Sequence, residues 1–193
     1  MSTRLFALIL PLAFVACSST PDTSSKKKGL DPVGPLVKLR LQARVDNIKY
    51  QKGTTLISNL ERIAAYREMA LPVCLEGLKD ENAMTRMGCA YALGRIGSTQ
   101  AIPALERALN DKVHFVRYEV ASQLGVLGSR AGYGVLVKGL SDDNIRYRFK
   151  CFEALHAITG RTFDYSHNAS PERRSVSLEK WNAWLEQVES EDL

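Results

Sequence analysis

The chain has 193 residues, of which 45% are hydrophobic and 24% charged, a balance that excludes wholesale disorder and leaves room for one ordinary domain plus extensions. Its formal net charge of +5 is too modest an excess to argue for nucleic acid. The placement of the charge says more. Eight basic residues between Lys26 and Lys52 stand against Asp31 and Asp46, whereas six acidic residues from Glu172 onward stand against Arg173, Arg174 and Lys180.

Residues 1–16 carry Arg4 and then an apolar run from Leu5 to Ala16. Twelve residues of helix rise about 18 Å, well short of the roughly 30 Å hydrocarbon core, so the segment reads as a secretory signal peptide and not as a membrane span. The run ends Leu12-Ala13-Phe14-Val15-Ala16-Cys17. Small residues before a cysteine resemble the lipobox of bacterial lipoproteins, with Phe14 where Leu is usual. The resemblance implies cleavage before Cys17, acylation there, and attachment to the membrane through that lipid. It places the chain in the bacterial cell envelope, and Ser18 and Ser19 favour the outer membrane facing the periplasm over the inner membrane. The other reading of these residues is a plain secretory signal with an incidental cysteine. Residues 17–35 are rich in Ser, Lys, Gly and Pro, cannot bury a core, and read as a flexible basic tether. Lys26, Lys27 and Lys28 suit either anionic headgroups or plain solvation.

The body, residues 36–164, holds three units that repeat every 31 residues without gaps. Stepping by that period aligns Leu71, Ile102 and Tyr133; Leu78, Leu109 and Leu140; Asp80, Asp111 and Asp142; Arg86, Arg117 and Arg148; and Leu93, Leu124 and Leu155. Each unit reads as two helices. Leu71, Cys74, Leu75 and Leu78 mark one face of the first, with Pro72 and Pro103 in its opening turn, where a missing N–H is harmless. The aspartates fall in the connection as turn formers or N-caps. Thr85, Cys89, Ala92, Leu93 and Ile96 form the packed face of the second helix, which Gly97, Gly128 and Gly160 end. A preceding incomplete unit pairs a helix through Val37, Leu41, Val45 and Ile48, its basic side outward, with a second through Leu56, Ile57, Leu60, Ile63 and Ala64. In residues 165–193, Ser170-Pro171 starts a helix whose Leu178, Trp181, Leu185 and Val188 cover the last repeat.

The series Asp80…Thr85-Arg86…Cys89-Ala90…Ala92-Leu93-Gly94…Ile96-Gly97, repeated from Asp111 to Gly128, resembles the short HEAT repeat of the bilin-lyase type. The third copy departs at Phe152 and His156, where Ala and Gly are usual. The resemblance implies an all-α, right-handed solenoid of about three to four helical-hairpin repeats with a C-terminal capping helix. It says little of activity, because the architecture serves many functions.

Candidate chemistry is sparse. His114, His156 and His167 have no metal-ligand spacing, and no phosphate loop, dinucleotide fingerprint or nucleophile elbow occurs. No catalytic residue, metal site or cofactor is therefore expected, and no small-molecule substrate. Cys74, Cys89 and Cys151 take positions held by Leu or Val in sister repeats, so they read as buried thiols. Cys74 and Cys89 lie on paired helices, where a disulfide is conceivable. The recurrence of Asp with Arg favours structural bonds within the repeats over an acidic partner. The residue after each arginine, Met87, Tyr118 and Phe149, continues on its helix to Tyr91 and Arg95 on the side expected to face the inside of the curve. Large groups there suggest a partner-binding row of Met87, Tyr91, Arg95, Tyr118 and Phe149, the competing account being packing between second helices. The expected function is that of an envelope scaffold or adaptor, no enzyme itself, that holds another protein on the concave face. The alternatives are an enzyme or enzyme subunit related to the bilin lyases, and a purely structural assembly protein.

Overall fold

In the computed structural model, which describes residues 34–191, every regular element among the described residues is helical. The chain folds into four successive hairpins. They pair α1 (Pro35–Asp46) with α2 (Gly53–Ala64), α3 (Leu71–Gly77) with α4 (Ala83–Ile96), α5 (Ile102–Ala108) with α6 (His114–Val126), and α7 (Tyr133–Gly139) with α8 (Ile145–Thr159). A final long helix, α9 (Pro171–Glu191), closes the stack against α7. This is the hairpin solenoid with a terminal cap that the repeat pattern predicts. The signal segment, Cys17 and nearly all of the tether lie outside the described residues.

The repeat period sets the helix ends. Pro72 and Pro103 stand in the first turn of α3 and α5. The aspartates are turn formers and not N-caps. Carboxylate oxygens of Asp80, Asp111 and Asp142 accept from the backbone N–H two residues on, at Asn82, Val113 and Asn144. Asn82 and Asn144 then cap α4 and α8, their side-chain oxygens accepting from Met84 and Arg146. Gly97 and Gly160, with φ of 78° and 68°, end α4 and α8 in the left-handed region that a β-carbon disfavours.

The arginine ladder is structural, as its co-recurrence with aspartate suggests. The Arg86 guanidinium donates to the carbonyls of Asp80 and Glu81, each at 2.9 Å. It also grips Asp111 of the next repeat through both carboxylate oxygens, at 2.6 and 2.9 Å. Arg148 repeats the contacts to its own loop through the carbonyls of Asp142 and Asp143, and having no following aspartate it donates instead to the His167 carbonyl of the terminal loop. Arg117 keeps only the bond to the Asp111 carbonyl.

Second helices pack extensively on one another, α2 on α4, α4 on α6 and α6 on α8, whereas contact between α3, α5 and α7 is sparse. The second-helix layer is therefore the inner side of the curve. The core runs along the middle through Leu60, Leu71, Leu93, Leu105, Leu124, Leu136 and Leu155, all fully buried or nearly so. The three described cysteines are buried free thiols, so Cys74 and Cys89 form no disulfide, and the neighbouring Cys74 thiol together with burial pushes the Cys89 thiol up. One apolar assignment fails. Ile57 was expected on the packed face of α2, yet it is 48% exposed, because the terminal hairpin has no neighbour on that side among the described residues.

At the far end Trp181 is fully buried, edge-on to Phe163 and Trp184. Ser170 caps α9, its hydroxyl accepting from the Arg173 N–H. The buried Tyr165 hydroxyl donates to the Leu140 carbonyl at 2.6 Å, tying the terminal loop to the end of α7.

Candidate partner-binding face

The inner layer carries an apolar depression of about 280 Å³ lined by Met84 and Met87 of α4, Phe115 and Glu119 of α6, and Tyr147 and Lys150 of α8. Three consecutive repeats each contribute two residues. The floor is polar but satisfied. The buried Glu119 carboxylate accepts from Gln123 at 2.6 Å and from the Lys150 ammonium at 2.7 Å. Glu119 and Lys150 are one period apart, so the repeat itself brings opposite charges together. The side walls are aromatic: Phe115 stacks on Tyr147 with centroids 6.4 Å apart, and His114 meets Tyr147 edge-on at 4.8 Å.

The expected row does not stand as one exposed strip. Met87 lines the depression, half-buried. Tyr118, expected on the surface, is buried. Its hydroxyl donates to Asp142 at 2.8 Å, and the ring lies between α6 and α7–α8. Burial and the bond to Asp142 push its phenol well above the ordinary range. Asp142 is pushed up by its own burial, but the Asn144 N–H, the Tyr118 hydroxyl and His114 outweigh that and hold it below the usual carboxylate range. This replaces the contact Arg117 would have made, which is why the arginine ladder is incomplete here. Phe149 is 46% exposed and sits edge-on to His167, toward the terminal loop. Tyr91 and Arg95 converge on Glu61 of α2, at 2.7 and 3.2 Å. Burial and the bond to Glu61 push the Tyr91 phenol up to about 12. Both residues thus spend their polar groups on the neighbouring repeat. The structure brings Met87 into the depression with Met84, Phe115, Tyr147 and Lys150, and none of these four was singled out from the sequence. Their signal was faint because Tyr147 takes a repeat position filled by the buried Thr85 and Val116 in the sister units.

A wider hollow of about 820 Å³ between the terminal loop and α9 is lined by three serines, Asn168, Arg173, Ala169 and Val176, with Lys180 and Asp164 paired at 3.1 Å. It lies outside the inner layer, on the side of the terminal loop. Among the described residues no group of three or more His, Cys, Asp or Glu could hold a metal ion, and no helix is long and apolar enough to cross a membrane.

Residues 55–124 match the family described as HEAT repeats. That stretch covers α2 through most of α6 and includes four of the six residues around the depression, Met84, Met87, Phe115 and Glu119. Among solved structures, human deoxyhypusine hydroxylase in complex with glycerol is similar at 23% identity and a TM-score of 0.44. The similarity covers 64% of this chain and 44% of that one, so the chain spans less than half of that protein. No curated protein matches the chain.

Proposed function

We propose that the protein is a lipid-anchored scaffold of the bacterial envelope, held to the membrane through Cys17, whose HEAT-like solenoid binds another protein on its inner layer. The observation that carries the binding reading is the apolar depression between α4, α6 and α8. Two methionines and two aromatic rings, each half-buried, gather there at one spot of the inner layer. Methionine adapts to the shape of a partner, and aromatic rings supply rigid contact area, the pairing typical of interface centres. Glu119 and Lys150 neutralise each other beneath the rings, so an apolar side chain entering the depression buries no unpaired charge. The anchoring reading is supported by the Val15-Ala16-Cys17 junction after a short apolar run.

The test is affinity capture from detergent-solubilised envelope with wild type, Met87→Glu and an outer-layer control, Glu76→Arg. Capture of a defined protein by wild type and the control, reduced at least about tenfold by Met87→Glu, is expected, since a charge in an apolar contact forfeits well over 1.4 kcal/mol. Equal capture by all three variants would remove the depression from the binding site.

A further inference from the structure

The N-terminal hairpin ends the solenoid, and the outward side of α1 meets no further repeat among the described residues. A terminal repeat covered only by water carries a polar outer side. Here α1 has two apolar stripes. Val37, Leu41 and Val45, continued by Ile48, pack on the core. Leu36, Leu39 and Ala43, spaced three and four apart, share the other side of the helix. Leu36 is 74% and Leu39 67% exposed. Exposed Arg40 and Lys38 flank this side on opposite edges of the helix, and exposed Asp46 lies on it, seven residues on from Leu39. Beyond the helix, Tyr50 is 75% exposed, with the Lys49 ammonium 5.2 Å from its ring centroid. Between Gly34 and Lys52 five basic residues face a single acidic one, Asp46.

We propose that the outward side of α1 lies on an anionic lipid surface, with Leu36 and Leu39 entering the boundary between headgroups and acyl chains and with Lys38 and Arg40 meeting lipid phosphates. Leucines flanked by cations on a helix are what that boundary favours. The proposal rests in part on the anchored reading above, because Gly34 follows Cys17 by only 17 residues and α1 is the described helix nearest that cysteine along the chain. A second copy of the chain, paired two-fold or stacked head-to-tail on the glutamates of α9, is the competing occupant, and the experiment separates it.

Full-length protein carrying Leu39→Trp is reconstituted into vesicles of phosphatidylglycerol or of phosphatidylcholine, each with brominated acyl chains. The native Trp181 and Trp184 are 0% and 9% exposed and give a constant background. The new indole should lose about half its emission in the anionic vesicles and far less in the neutral ones, as expected for a side chain at the acyl boundary. Adding Lys38→Glu and Arg40→Glu should abolish the difference. Val126→Trp, on the inner layer at a position 62% exposed, should stay unquenched in both. Protein that floats with the vesicles while the residue-39 indole stays unquenched overturns the proposal and leaves the lipid anchor standing. Protein that carries no acyl mass yet shows lipid-dependent quenching sinks the anchor and retains the surface. An unquenched indole with a mass that grows with concentration assigns the stripe to contacts between copies of the chain and overturns the proposal too.

Discussion

The Arg86–Asp111 pair shows how one residue position holds two repeats together. The guanidinium closes its own loop through two carbonyls and clamps the next repeat through a carboxylate. Both side chains are almost wholly buried, 7% and 9% exposed, so removing one partner strands the other. Arg86→Ala should therefore cost about 3 kcal/mol, a fall of roughly 10 °C in Tm by calorimetry. The same pair sets a pH dependence. Burial pushes Asp111 up, but Arg86 and the Val113 N–H outweigh it and hold the carboxyl below its ordinary range. Unfolding returns it to about 3.9. Its stabilisation is thus complete above that value and disappears as the pH falls toward the lower folded value, the unfolded chain taking up the proton first. Urea midpoints of wild type should fall as the pH drops below about 4. Asp111→Asn should begin less stable and lose less over that interval. Identical slopes would show that the pair contributes nothing. Tyr118 belongs to the same scale. Tyr118→Ala should destabilise the chain by roughly 3 kcal/mol, because it empties a buried site and leaves Asp142 short of a donor. The sequence placed this tyrosine at a surface position because an exposed row and a packed row share one spacing. Only the contacts of Asp142 with Tyr118 and His114 distinguish them, and those depend on side-chain direction.

Helix by helix, the sequence was a good guide wherever a 31-residue step repeated both packing and ends. Prolines, turn aspartates, arginines and closing glycines recur together, and hairpin order follows from them. Where the period breaks, legibility fell. Ile57 obeys the spacing of α2 but lacks the neighbour that would cover it, and Tyr147 leaves the packed position of its sisters to wall the depression. The terminal helix was legible from Ser170-Pro171 and from the face carrying Trp181. A chain ending at Gly160 loses the fully buried Trp181, the buried Trp184 and Tyr165, and the bond to the Leu140 carbonyl. Aromatics of this size contribute a few kcal/mol each, comparable with the whole stability of a small domain. The truncated chain should aggregate or melt far below wild type, and an unchanged Tm would show that α9 is not docked.

For the molecule as a whole, the fold, a curved stack with a closed C-terminal end, explains why a candidate site appears on the second-helix layer. Adjacent second helices approach closely, so side chains from three repeats meet in one depression. That convergence was only partly visible in the sequence, which supplied Met87 but not the walls around it. The proposed membrane attachment is a separate matter and rests on Cys17. Cys17→Ser should leave the precursor unprocessed or release the protein to the soluble fraction, read by fractionation and mass spectrometry. A mature, still-anchored variant of normal mass would refute acylation there.

The most direct test of the central claim, that the inner layer is the binding surface, is site-specific photo-crosslinking in living cells. A benzophenone amino acid replaces Phe115 in the depression, or Glu76 on the exposed side of α3. The account predicts one defined adduct from position 115 that fades when Met87→Glu is added, and none from position 76. An adduct from position 76 with none from position 115 would contradict it.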